Sequence, residues 1–389
     1  MRERRFLIVA LVVLLILLLG LAALYVKIAA PAKSVVAGKP EGLKFLFQIF
    51  GPSATDRFNK PTDVAVDGSG NIYVTDTLND RVAVFDKAGT FLRTFKTDVI
   101  RPLGIDVGPD GTVYVVSKRN DMVVAFDSSG KIKQHYKAFI PLDVVAEGKR
   151  LYITTIGPIV SYDIATGGEQ RLFGFNGREP DEFAWPNGIQ SRDGRLYVAD
   201  TNNLSLKSVS TTGAVEWVFG KSPTKAQFAE SEGRLFGAPT GIALDEEGRI
   251  FVVDGFRDKI YLHASNGKRI AEWGGERGDA EGQLDHPAGI AYGGDGVIYV
   301  VDKFNHRVQA FRVNIPGQGI KVPAGFSLWW CLIPLLFLVL LLIVAYFIRR
   351  AIARRREDEA EGSEVEAPDG SGGAVVEGVQ GAPPAVPEA

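Results

Sequence analysis

Four histidines, His135, His263, His286 and His306, and one cysteine, Cys331, are the classical metal-binding side chains of this 389-residue chain. Zinc catalysis asks for about three protein ligands on one centre, so a zinc site would need most of these imidazoles to converge. One cysteine excludes internal disulfides and thiolate clusters. The carboxylates recur more regularly. Asp76, Asp200, Asp254 and Asp302 follow runs of the Ile-Tyr-Val type, where two further runs end in Ser117 and Thr155. A recurring Asp, Ser or Thr at a strand end usually accepts hydrogen bonds from loop backbone, so this set reads as structural. Asp63 and Asp143 share a second recurring position, held elsewhere by Gly104, Gly188, Gly241 and Gly289. Calcium at that pair would need backbone and water oxygens to reach about six to eight ligands. Asp110-Gly111 and Asp193-Gly194 suit hairpin turns and lack EF-hand spacing. No Gly-x-Ser-x-Gly, P-loop or dinucleotide fingerprint is present in a suitable context.

These positions recur because the sequence repeats. Six copies begin with a proline: Lys60-Pro61, Arg101-Pro102, Ile140-Pro141, Trp185-Pro186, Ala238-Pro239 and His286-Pro287. A Gly-containing turn follows, then an aromatic and β-branched run: Ile72-Tyr73-Val74, Val113-Tyr114-Val115, Leu151-Tyr152-Ile153, Leu196-Tyr197-Val198, Ile250-Phe251-Val252 and Ile298-Tyr299-Val300. Two more apolar runs complete most copies, as in Arg81–Phe85 and Phe91–Phe95. Short runs of β-formers divided by Gly/Asp turns are antiparallel strands, and four per repeat at a period of about 40–50 residues is the pattern of propeller blades.

The order of proline, apolar strand, Asp-Gly turn, Ile-Tyr-Val-x-Asp and Asn-x-Arg-Val resembles the NHL repeat over residues 43–313. Asn79-Asp80-Arg81-Val82 and Asn305-His306-Arg307-Val308 carry that resemblance best. It implies an all-β fold, a six-bladed NHL-type propeller. Blades three and four depart from the Asn-x-Arg-Val element and should be the irregular ones. The sixth copy has three strands, so Lys44–Phe50 is expected to supply its fourth and close the ring without open edges. Some proteins of this kind are lyases using several histidines on zinc, and lactonase-like propellers use carboxylates around calcium. Only His286 falls where it could face the channel, which disfavours the zinc type. His306 reads as a surface residue.

Strand order sets the faces. The links from second to third strand and from fourth to the next first strand share one face, termed upper, and the short Asp/Gly turns lie on the lower face. Loops on a rigid scaffold are where binding residues concentrate. The pre-proline positions ring the upper mouth of the channel, so Lys60, Arg101, Trp185 and His286, with Asp63 and Asp143 just inside, are the candidate binding residues. Two cations, an indole and an imidazole suit an anionic or aromatic group; simple exposure of these side chains is the alternative.

Two apolar segments flank the repeats, 6–30 and 326–348. About 20 apolar residues span a bilayer core, so each reads as a transmembrane helix. A cleaved signal peptide ending near Ala29, Ala30 and Ala32 is the rival for the first, whose apolar stretch exceeds the usual signal length of about 7–15 residues. Arg2, Arg4 and Arg5 precede the first segment and Arg349, Arg350, Arg354, Arg355 and Arg356 follow the second. The positive-inside tendency then puts both termini (1–5 and 349–389) in the cytoplasm and the propeller outside, with linkers at 31–42 and 314–325. The tail from Glu357 lacks apolar periodicity and should be disordered.

A net charge of -2 gives no global pull toward nucleic acid. The expectation is a two-pass protein of the cell membrane whose extracytoplasmic propeller binds a protein partner or small ligand, without nucleic acid, assembled catalytic residues or a required cofactor. One alternative is a lyase or lactonase-like hydrolase with a channel cation such as calcium at Asp63 and Asp143. Another is a subunit of a larger membrane assembly.

Overall fold

The structure, a computed structural model, describes residues 42–96, 98–220, 235–314 and 343–356. The chain divides into two compact units, one of Pro31–Gln318 and one of Met1–Ala30 with Gly319–Ala389. In the second unit residues 343–356 are helical. Among the described residues no helix is long and apolar enough to cross a membrane. The segment at 6–30 and most of that at 326–348 lie outside the described residues, as do 1–5 and the tail from 357.

The first unit is six four-stranded antiparallel sheets. Blade one is representative, with strands Pro61–Val66, Ile72–Asp76, Arg81–Phe85 and Phe91–Phe95 running outward from the centre. Blade six closes as the strand count requires: Lys44–Ile49 pairs antiparallel with Arg307–Arg312, Lys44 opposite Arg312. The propeller therefore begins and ends on the lower face of one blade.

The second strand of each blade is covered on both sides by neighbouring blades, which is why it reads as a continuous apolar run. Ile72–Asp76 and Val113–Ser117 are buried at every residue. Because alternate side chains face opposite ways, the central aromatic points to the next blade. Tyr73 packs against Ile105, Val115 and Phe126 of blade two, and Tyr299 returns to Phe58, Val74 and Phe85 of blade one. The core is thus a ring of interblade clusters, each aromatic contributing about 1.5–3 kcal/mol by burial.

The innermost strands are irregular at their upper ends. Register shifts fall between Pro61 and Val64, Pro102 and Ile105, Pro239 and Ile242, and Pro287 and Ile290. Such a bulge re-aims the side chains within it, and those residues line the channel mouth. Blades three and four keep four strands each. Blade three replaces the 3-10 turn seen at Thr77–Asn79, Lys118–Asn120 and Thr201–Asn203 with a short Gly157-Pro158 link.

Candidate functional site

The recurring aspartates at the ends of the second strands are structural hubs. Asp76 accepts hydrogen bonds from Asn59 N at 2.7 Å, Asn79 Nδ2 at 2.8 Å and Arg81 Nε at 2.7 Å. Asp302 repeats the set with Asp285 N, Asn305 Nδ2 and Arg307 Nε and adds Gln309 Nε2. Blade four has Ser205 where the arginine belongs, and Lys207, two residues further along the strand, reaches Asp200 at 2.9 Å. Lys207 is fully buried there, with Phe183 beneath its ammonium at 4.9 Å.

The pre-proline ring is built on strained backbone. Lys60, Arg101, Ile140, Trp185 and His286 have φ between 46° and 55°, a region that L residues seldom adopt. What holds them is a latch from the preceding blade. Arg101 N donates to Asp80 Oδ1 at 2.7 Å, Ile140 N to Asp121 Oδ1 at 2.9 Å and His286 N to Asp258 Oδ1 at 2.8 Å. Lys60 N donates to His306 Nδ1 at 3.1 Å, which joins blade six to blade one. His306 therefore helps close the ring, a role its reading as a surface residue did not include. Blade four offers Leu204 at the latch position, and Ala238 N turns to Asp254 Oδ1 instead.

The four ring candidates go to different places. Trp185 lines a cavity of about 190 Å³ at the channel mouth. Lys60 stands over Phe304, its ammonium 5.2 Å from the ring centroid. Arg101 is exposed and outside the cavity lining. His286 contacts Asp285 Oδ1 at 2.6 Å and packs on Phe304 with ring centroids 4.4 Å apart.

Two lysines that the sequence reading passed over complete this mouth. Lys118 and Lys303 line the cavity with Trp185, Thr62, Asn187 and Thr240. They follow the strand-ending Ser117 and Asp302, a position where blades one and four have Thr77 and Thr201. Those hydroxyls are consumed by the carbonyls of Pro102 and Pro239 at 2.8 and 2.5 Å. Among the described residues, no carboxylate lies within 4.0 Å of the Lys60, Lys118 or Lys303 ammonium. Burial, with the Lys60 and Lys118 charges behind it, pulls the Lys303 ammonium below its usual range. Comparing the residue after each strand-ending acid across the six repeats would have exposed the pair.

Below the lysines, carboxylates staple the innermost strands. Asp63 Oδ2 accepts from Ile105 N at 3.0 Å, Asp106 Oδ2 from Ala146 N at 2.8 Å and Asp143 Oδ2 from Ile189 N at 2.8 Å. The alternation with glycine has a steric cause. A Cβ on Gly104 would stand 2.5 Å from the Cα of Asp143, and one on Gly289 2.6 Å from that of Asp63. Burial pushes the Asp63 carboxyl up to about 7 and Asp106 to about 6. Asp143, only 7% exposed, is raised well above the usual range by burial first and then by the Asp63 charge.

The histidines do not assemble. His135 contacts Asp98, and His263 is buried with Nδ1 2.8 Å from Gly267 O, its pKa lowered by burial to about 4. Asp258, Asp285 and His286 form the one cluster of at least three potential metal ligands among the described residues. Arg277 occupies it, with Nε 2.9 Å from Asp258 Oδ2 and 3.5 Å from Asp285 Oδ1.

The remaining upper surface is apolar to an unusual degree. Phe139, Phe175 and Phe256 are 70%, 75% and 69% exposed, and Leu78, Ile100, Trp185 and Phe304 are also exposed. All seven lie on links that belong to the upper face. Phe139 and Ile156 line a second cavity of about 450 Å³ beside blade three's shortened link.

A family model described as NHL repeat matches residues 58–85 and 284–311. These fall in blades one and six, the blades in which the aspartate hub keeps both its asparagine and its strand-three arginine. No curated protein matches the chain. Among solved structures, a protein of unknown function from Bacteroides thetaiotaomicron aligns with a TM-score of 0.55 at 17% identity, covering 71% of this chain and 75% of its own. A streptogramin B lyase structure aligns with a TM-score of 0.50 at 16% identity, covering 69% and 98%. At such identities the likeness concerns the fold alone. The chain thus carries NHL repeats at 58–85 and 284–311, within a fold of six four-stranded blades, a six-bladed β-propeller.

Proposed function

We propose that this propeller is a binding module of the cell envelope, anchored by membrane helices at 6–30 and 326–348, that presents its upper face to a protein or small ligand. The observation that carries the reading is the asymmetry of the two faces. Exposed aromatics gather on the links of the upper face, whereas the lower face is made of short Asp/Gly turns. Exposed apolar area of this kind marks interaction surfaces. Anchorage is supported by the two apolar segments with their arginine flanks, and by the pairing of Lys44 with Arg312. That pairing brings the start of the first strand and the end of the last to one place on the lower face.

The positive mouth argues against a divalent cation at Asp63 and Asp143. Their oxygens already accept backbone hydrogen bonds, and two lysines line the entrance above them. A binding role without a channel cation is therefore favoured over a lyase or lactonase.

A photocrosslinking side chain placed singly at Phe139, Phe256 or Phe304 should capture a discrete adduct in intact cells. The same group at Ser129 or Asn266, on lower-face turns, should capture none. Equal capture from both faces, or none from the upper positions, would contradict the assignment.

A further inference from the structure

Two ammoniums at one cavity, with a third nearby and none of the three in an ion pair among the described residues, are expensive to keep, because like charges raise each other's energy and burial adds a desolvation cost. Lys303 and Lys118 line the mouth, and Lys60, over Phe304, is near enough for its charge to act on Lys303. The surrounding polar groups are largely committed to the frame. Thr62 Oγ1 contacts Thr77 Oγ1 at 2.5 Å, Asn187 Nδ2 donates to Thr201 Oγ1 at 2.9 Å, and Thr240 Oγ1 to Pro287 O at 3.3 Å. Asp63, also in the lining, has its Oδ2 on Ile105 N, so the lysines are the cationic donors that the mouth still has to offer a ligand. Trp185 is half-exposed beside them, with Lys118 5.7 Å from its ring.

Size and wall chemistry narrow the class. The cavity is about 190 Å³, below the roughly 300–1,000 Å³ of sites for drug-sized ligands. Nucleotides and acidic sugars of several rings are too large. Leu103, Leu142 and the Trp185 indole give part of the wall an apolar character that an inorganic oxyanion would leave unused. Lysine ammoniums are compact point charges with rotatable donors, well suited to carboxylates at several angles.

We propose that the channel mouth binds a small polycarboxylate, two or three carboxylates on a short carbon skeleton, held by Lys60, Lys118 and Lys303 against the Trp185 indole. The inference rests on the upper face being the binding face and adds the chemistry that its centre recognises. A free metabolite is the intended ligand; a string of acidic side chains on a partner would instead need the flanking aromatics.

Calorimetry and thermal melts on the full-length chain test this, with citrate, succinate, acetate and inorganic phosphate as probes at matched ionic strength. Citrate and succinate should bind once per chain, and at ten times the dissociation constant raise Tm by about 3 °C. Acetate should fail. Lys118→Ala and Lys303→Gln should each weaken citrate by about tenfold or more, the usual loss for a charge-assisted hydrogen bond. Lys131→Ala, on a lower-face turn, should leave it unchanged, and circular dichroism should show each variant folded. Absence of binding by both polycarboxylates, wild-type affinity in the lysine variants, or phosphate binding as tight as citrate would overturn the proposal. If polycarboxylates fail while upper-face crosslinks persist, only the ligand class falls; if citrate binds but no crosslink forms, the docking of a protein partner falls instead.

Discussion

Arg307 shows what a single side chain does in this fold. Its Nε holds the buried Asp302 carboxylate at 2.8 Å, while its other nitrogens reach Gln48 Oε1 and the carbonyls of Asp279, Ala280 and Gln283. One residue thus ties the closing strand, the second strand and an interblade link together. Removing one partner of such a pair leaves a buried charge uncompensated, at about 3–5 kcal/mol. Arg307→Ala should lower the unfolding free energy by that amount in denaturant melts. Lys303→Ala should cost far less, because its ammonium has no carboxylate to abandon. The aspartate hubs were legible in the sequence, since an acid recurring at a strand end with Asn and Arg close behind has a local explanation. Lys207 was not, because it substitutes for the arginine from a different strand position. The latch role of His306 was missed for a related reason: its partner, the Lys60 amide, is 246 residues away.

At the scale of elements, the six inner strands are packed so closely that glycine alternates with carboxylate around part of the channel. The two tiers of acids respond to pH in a definable direction. Asp63 at about 7 and Asp106 at about 6 lie above their ordinary range, as does Asp143, so the folded state binds protons that the unfolded chain releases. Stability from these groups is greatest at low pH and is lost as pH rises through those folded values. His263, lowered to about 4, works the other way below about 6.5, where the unfolded imidazole gains a proton that the buried one refuses. Between pH 6.5 and 8 His263 no longer contributes, so the raised carboxylates should make the melting temperature fall across that window. Asp63→Asn with Asp143→Asn should flatten the slope, which is bounded at about 1.4 kcal/mol per pH unit for each group. An unchanged slope in the double variant would remove the carboxylates from this role. The four-strand repeat and the ring closure were readable from period and polarity. The first-strand bulges were not, because register shifts depend on pairing across the sheet, and the burial that raises the acids depends on those bulges.

At the scale of the whole molecule, the propeller unit is a closed ring of blades with two unlike faces, and its proposed biology depends on which face points away from the membrane. The sequence carries the apolar segments and their arginine flanks; the propeller adds that its first and last strands end together on the lower face. The mouth chemistry was only half legible. Trp185, Lys60 and Asp63 could be placed by their repeat position, but the convergence of Lys118 and Lys303 from blades two and six needs the closed ring. The most direct measurement of the central claim is energy transfer in intact membranes from a fluorophore at Phe256 or at Ser129 to an acceptor dye in the outer bilayer surface. Transfer should be strong from Ser129 on the lower face and weak from Phe256 on the upper. Equal transfer from the two sites, or stronger transfer from Phe256, would contradict the orientation and with it the outward binding face.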